Sequence, residues 1–410
     1  MTDAIRPCIT GMGVITPIGQ DLDSFWEALL TGRCGSAPIR SFDTSGFKSG
    51  IGCEVADYTL PASLRPHVLG GRCTELALLA VTQAVGQSGS ETLLRGSSET
   101  AVVVGTTMGD VTRFEQERAA HTDRPADERE LAALVGQPLD IMGRSVASLY
   151  GITGLVMTTP TACAAGAYAV GLAAAMVARG RVTQAIAVGC EALSRLAFAG
   201  FTRLGAMSPD ACRPFSRERR GLLLGEGAAA VVIEPDTAAR RRGAEILGVV
   251  DGFGLSCDAH HITGPHPEGA GAVAAMTRAL REGRLAPSDV DYINAHGTGT
   301  SLNDKVESLA VRRVFAGTPG TLPVSSIKAL TGHMMGAAGC VEAVASVLAL
   351  RHGVIPPTWN WLGEDPECGI DCVPNQPREK PLRHVLSNSY AFGGNNASLL
   401  LSAPRGASAS

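Results

Sequence analysis

Ten short β-branched runs separated mostly by helical patterns constrain this 410-residue chain more than any other feature. In the first half they fall near Cys8–Val14, Val102–Thr106, Leu155–Thr159, Gln184–Val188 and Ala228–Ile233. In the second they fall near Ile246–Phe253, Val290–Asn294, Leu322–Ser325, Val385–Ser389 and Ser398–Leu401. Helical periodicity covers Thr74–Val85, Ala162–Ala178 and Ala337–Leu350, the last with Val341, Val344 and Leu348 on one face. Alternation of this kind predicts α/β architecture with largely parallel sheets covered by helices. The charged run Ala238–Gly243 divides the strands five and five. Two similar halves, 1–243 and 244–410, are expected.

With 45% hydrophobic and 18% charged residues, the chain can bury a large core and is not disordered. Its 35 basic and 39 acidic residues leave a formal charge of −4, which excludes a generally basic nucleic-acid binder. Glycine, at 49 residues, and abundant alanine predict helices lying close to other backbones. Gly154–Ala178 carries no charge, but Pro160, its threonines and its Ala/Gly content fit a buried strand–turn–helix, not a membrane span. Eleven cysteines without an opening signal segment predict reduced thiols in the cytoplasm. Cys368 and Cys372 lack a second ligand pair, so no metal site is expected.

Chemistry concentrates at four places. Cys163 follows a strand and a Pro160-Thr161-Ala162 turn and opens an Ala/Gly-rich helix. The positive end of a helix favours a thiolate, and its free N–H groups can hold an oxyanion. An inert core cysteine is the competing reading. His296, in Asn294-Ala-His-Gly-Thr-Gly-Thr300, and His333, in Gly332-His-Met-Met-Gly-Ala-Ala-Gly339, lie in glycine-rich loops; either alone could be structural. His260, His261 and His266 share one loop, read as a site wall because no Asp, Glu or Cys at ligand spacing completes a metal set. Lysine occurs at only four positions, so Lys328 suggests a buried point charge, with Glu342 as partner. Phe392-Gly-Gly-Asn-Asn396 reads as a hairpin-like turn that supplies an amide and a covering ring.

Together, Thr161-Ala-Cys163-Ala-Ala-Gly166, the His296 and His333 loops and the Phe392 turn resemble the β-ketoacyl-acyl-carrier-protein synthases, above all the elongating type II enzymes. Thr10–Gly19, Arg213-Pro-Phe215 and Gly225-Glu-Gly227 extend the likeness along nearly the whole chain. The resemblance implies a thiolase-like five-layer αβαβα fold built from two similar halves. It implies that Cys163 carries the acyl chain, that His296 and His333 bind malonyl thioester and stabilise its enolate, and that Lys328 with Glu342 sets the local charge. The N–H groups of Cys163 and Phe392 would form the oxyanion hole. Thr298 and Thr300 would hold the pantetheine arm, with Gly393 beside the substrate and Met108 and Phe201 lining the acyl pocket.

The implied partners are an acyl carrier protein and a second subunit, either identical or a homologous Cys-less chain-length factor. The chain itself would hold no cofactor, since 4′-phosphopantetheine belongs to the carrier. An acidic carrier needs a local basic patch, for which Arg65, Arg72 and Arg203 are candidates. Thr107–Gly151 and Gly221-Leu-Leu-Leu224 depart from the family pattern, which points to a specialised polyketide or polyene system and leaves ordinary fatty-acid elongation as the alternative. A thiolase would need a second reactive cysteine near the C-terminus, where Phe392-Gly-Gly stands instead. A non-catalytic chain-length factor would lack Cys163.

Overall fold

The computed structural model describes residues 5–119, 138–318 and 322–404; part of the divergent Thr107–Gly151 segment lies outside them. All ten expected strands form: β1 Pro7–Ile15, β2 Thr100–Gly105, β3 Val156–Thr159, β4 Gln184–Glu191, β5 Gly227–Pro235, β6 Gly248–Cys257, β7 Tyr292–Asn294, β8 Pro323–Ser325, β9 His384–Tyr390 and β10 Asn395–Ser402. The main helices are α1 Arg72–Ser88, α2 Ile141–Tyr150, α3 Ala165–Ala178, α4 Arg195–Arg203, α5 Ala270–Gly283, α6 Ser301–Val314 and α7 Ala338–His352.

Hydrogen bonding orders the strands β3-β2-β4-β5-β1 and β8-β7-β9-β10-β6, the same order in each half. The sheets meet where β1 pairs antiparallel with β6 at Cys8–Val249 and Ile9–Gly248. They are less parallel than the alternation of elements predicts. Three strands in each half are parallel, but β5 and β10 run against both neighbours. The reason is connectivity. The turn after β9 reverses the chain without a crossover helix, using Gly393 and Gly394 at φ 79° each.

Five layers follow from three core clusters. One joins α1 and α2 to the outer face of the first sheet. Another joins α5 and α6 to the outer face of the second. The largest surrounds α3 and α7 between the inner faces. This corrects the expected single apolar face on α7: every residue of Ala338–Leu350 is buried, because sheets and α3 enclose the helix. Among the described residues, no helix is long and apolar enough to cross a membrane.

Glycine sets the spacing of the outer layers identically in both halves. Gly11 and Gly13 of β1 face Ala84 and Ala80 of α1, and Gly252 and Gly254 of β6 face Ala279 and Ala275 of α5. A Cβ at Gly13 would lie 2.0 Å from the Ala80 carbonyl oxygen, and one at Gly254 would lie 1.9 Å from that of Ala275. Helix backbone therefore rests directly on strand backbone. The prediction is that Gly13→Ala or Gly254→Ala destabilises by about 1–3 kcal/mol or more through overpacking. Gly46→Ala, with nothing within 4 Å of its added Cβ, should stay within about 0.5 kcal/mol. Urea unfolding of the three variants checks this; equal midpoints would contradict it.

Candidate active site

The two central helices start alike. A 3₁₀ turn, Ala162–Ala164, precedes α3, and another, Met335–Ala337, precedes α7. Each opens on a non-glycine residue in the left-handed region, Ala162 at φ 49° and Met335 at φ 42°. Cys163 follows the first, Gly336 the second. Cys163 is buried, and burial pushes its thiol up to about 12. The Lys328 charge and the N–H groups of Phe392 and Cys163 pull it down, while Glu191 adds to the rise. The helix-start position favours a thiolate, whereas burial in the structure acts in the opposite direction.

His296 leaves β7 in a loop whose tight course requires Gly297, at φ 37°, where a Cβ would meet Ser326 Cβ at 2.5 Å. The N–H groups of His296 and Gly297 both donate to the buried Glu307 carboxylate at 2.8 Å. His333 N donates to the Leu223 carbonyl at 2.7 Å, so the divergent Gly221–Leu224 stretch props this loop. The two imidazoles stand 5.3 Å apart, edge to face at 84°. Burial first, and the Lys328 charge second, hold both well below the ordinary histidine range.

Lys328 and Glu342 form a buried ion pair, with side chains 1% and 2% exposed. The ammonium also donates to His296 O at 2.5 Å and faces His296 Nδ1 at 3.5 Å. An ammonium can only donate, so His296 Nδ1 is the acceptor and Nε2 carries the proton. Burial raises Glu342 to about 7 despite the pull of Lys328.

These groups open on a cleft of about 410 Å³, lined by Cys163, His296, His333, Thr298, Phe201 and Phe392 among others. Thr300 lines it too, with its hydroxyl 2.8 Å from that of Thr298. The Phe201 and Phe392 rings stack at 5.4 Å. The histidine-rich loop walls the cleft, but through Asp258, Thr263 and Pro265, not through its histidines. Among the described residues, no cluster of His, Cys, Asp and Glu is placed to hold a metal.

Some expected residues sit elsewhere. Gly393 is exposed and outside the lining, and its N–H donates to Ile262 O at 2.8 Å. Met108 lies beside the cleft, in an apolar cluster with Phe198, Phe201 and Met335. Arg72 is not a free surface charge: it grips buried Glu226 at 2.6 and 2.9 Å and the Val55 carbonyl at 2.7 Å. Arg65 and Arg203 are exposed. Sequence reasoning missed Arg220 on the cleft wall, and the buried carboxylates of Glu191, Glu226, Asp304 and Glu307 that bind backbone amides. Their one sequence signal is an acidic residue inside an apolar or glycine-rich run.

Comparison with known proteins places the chain in a family. The family model for the beta-ketoacyl synthase N-terminal domain matches residues 6–239, and that for the C-terminal domain matches 247–361. A 3-oxoacyl-(acyl-carrier-protein) synthase 2 from Coxiella burnetii is 38% identical, covering 97% of this chain and 98% of that protein. A Streptomyces cyaneus protein named as a polyketide beta-ketoacyl synthase is 36% identical, covering 98% of this chain and 99% of that protein. The solved structure of the ishigamide ketosynthase/chain length factor aligns with a TM-score of 0.89 and 37% identity, over 98% of this chain and 100% of that one. The chain belongs to the beta-ketoacyl synthase family of condensing enzymes.

Proposed function

We propose that Cys163, His296 and His333 perform the decarboxylative Claisen condensation of this family, extending a Cys163-bound acyl chain with malonyl-acyl carrier protein in a specialised polyketide or polyene pathway. One observation carries the reading: a buried thiol and two neutral imidazoles converge on a single cleft above the Lys328–Glu342 pair.

In the first step the Cys163 sulfur attacks the incoming thioester carbonyl. The bond to the carrier thiol breaks, and that thiol leaves with a proton. The thiol proton of Cys163 needs an acceptor. Lys328 fixes the tautomer of His296, whereas the buried Nδ1 of His333 has no partner among the described residues. His333 is therefore the imidazole whose tautomer can change. In the second step the carbonyl of malonyl thioester accepts hydrogen bonds from both imidazoles. Loss of CO2 leaves an enolate on that oxygen. Its carbon attacks the Cys163 thioester, the N–H groups of Phe392 and Cys163 hold the tetrahedral oxyanion, and collapse breaks the carbon–sulfur bond to release the Cys163 thiolate, which regains its proton from solvent. Neutral imidazoles suit this step, because an imidazolium would protonate the carbanion. The chain needs no cofactor of its own; the pantetheine arm arrives with the carrier along Thr298 and Thr300.

A dimer accompanies this reading. β3 is the outermost strand of its sheet, and Leu155 before it is 49% exposed, an edge suited to pairing with a second copy or a homologous subunit. The eleven free cysteines suit a reducing, cytoplasmic compartment. Identities of 38% to the 3-oxoacyl synthase and 36–37% to the polyketide-type proteins do not separate the pathways. Ordinary fatty-acid elongation is thus the rival, and products decide. Retained keto groups or double bonds support the specialised pathway; saturated long chains made by a homodimer with a general carrier would sink it.

Half-reactions separate the roles. Cys163→Ala should lose the covalent acyl group seen by peptide mass spectrometry. His296→Ala should still be acylated, His333→Ala should be acylated more slowly, and both should release CO2 from malonyl thioester about 10²–10³-fold more slowly. An acyl group mapped to another cysteine, or normal CO2 release, would overturn the assignment.

Acidity gives an independent check. A histidine with a depressed folded pKa stays neutral as pH falls through the ordinary value of 6.5. CO2 release should therefore be level through that pH and decline only well below it. The same shift means that stability is lost as pH falls below 6.5 toward the folded pKa. A midpoint near 6.5 in the rate profile would show imidazoles open to water.

A further inference from the structure

Glu191 ends β4, is fully buried, and has no place in the condensation steps. Its Oε2 accepts N–H groups from Thr107 at 2.7 Å and Gly336 at 3.0 Å, and its Oε1 accepts the N–H of Met108 at 3.0 Å and the Thr106 hydroxyl at 3.3 Å. These donors come from two separate loops. Thr106–Met108 follows β2 in the first half; Gly336 belongs to the turn before α7 in the second. The side chains those loops carry, Met108 and Met335, enter one apolar cluster with Phe198, Phe201 and Leu222. Phe201 and Leu222 also line the Cys163 cleft, so this cluster forms the wall against which an acyl chain on Cys163 would lie.

The matched helix starts sharpen the point. Before α3 the amides of Cys163 and Phe392 face the thiol. Before α7 the equivalent turn points its amide at a carboxylate the protein supplies itself. Burying a carboxylate is costly unless donors surround it. Amides of both loops meet that requirement only while the loops keep their present spacing, so the carboxylate fixes that spacing. Burial raises Glu191 to about 7 while the three amides pull it down.

We propose that Glu191 is a positioning residue for acyl-chain selection, clamping the Met108 segment to the Met335–Gly336 turn and so fixing the width of the apolar wall beside Cys163. This rests on the reading of Cys163 as the acylated residue. It adds a determinant of which chains fit, carried by a group that never touches them. Neutral glutamine keeps the shape of Glu191 but turns an NH2 toward N–H donors, which releases at least one loop. Aspartate keeps the charge but is too short to reach both loops.

The test compares wild type, Glu191→Gln and Glu191→Asp, all as full chains, for acylation of Cys163 by acyl-pantetheine thioesters of increasing chain length. The expected result is that kcat/KM for longer chains falls about tenfold or more, with short chains affected less, so the length profile tilts while CO2 release from malonyl thioester changes less than long-chain acylation. A uniform fall at all lengths, or an unchanged profile in both variants, would overturn the proposal. So would failure of both variants to fold, which would make Glu191 structural only. If wild type itself shows no acyl group on Cys163, the functional reading fails first, independently of Glu191.

Discussion

The Lys328 ammonium is the point through which the site is connected. It bonds Glu342 one turn into α7 and the main chain of His296 after β7, and so joins a central helix to the loop that leaves an interior strand. Its charge reaches Cys163, His296 and His333. It fixes the tautomer of His296, helps keep both imidazoles neutral, and opposes the burial that raises the Cys163 thiol. Breaking such a buried pair by removing one partner leaves an uncompensated charge, typically worth about 3–5 kcal/mol. The pair therefore binds stability and chemistry to the same atoms.

The duplicated framework explains how those atoms come together. Equal strand order in each half places strand ends, and hence loops, around a common centre. The His296 loop follows the second strand of its half, the Phe392 turn follows the fourth, and Cys163 precedes the first central helix. Symmetry would offer two such centres. The two halves differ in what fills each helix start: a thiol open to the cleft at one, an internal carboxylate at the other. Glycine makes the scaffold thin enough for this convergence, by letting outer helices rest on strand backbone at Gly11, Gly13, Gly252 and Gly254.

The strands and the glycine-rich loops of the candidate site were legible because they are local. β-branched runs, glycine-rich loops around His296 and His333, and a lone lysine before a helix carry their own signal. What was not legible depends on distance. Strand direction in β5 and β10 follows from return connections that periodicity does not register. The upward shift of the Cys163 thiol follows from burial by other elements, which a helix-start argument omits. Arg72 looked like a surface charge because nothing near it in sequence announces Glu226, 154 residues away. Buried carboxylates such as Glu307 and Glu191 look like ordinary acidic residues until the amides they bind are in place.

Charge explains why such neutrality is useful. Before substrate arrives, the cleft holds a buried thiol and two neutral imidazoles, and the fixed cation lies beneath, already paired. Every species the proposed reaction creates is negative in turn: the sulfur anion, the enolate and the tetrahedral oxyanion. Each would form beside buried groups, where fixed donors act strongly because they need no reorganisation. The two arginines on the cleft wall, Arg219 and Arg220, are paired with Asp365 and Asp210. A proton on either imidazole would quench the carbon nucleophile. Buried and paired with Glu342 beside His296, the Lys328 charge would give each anion of the proposed reaction a favourable field.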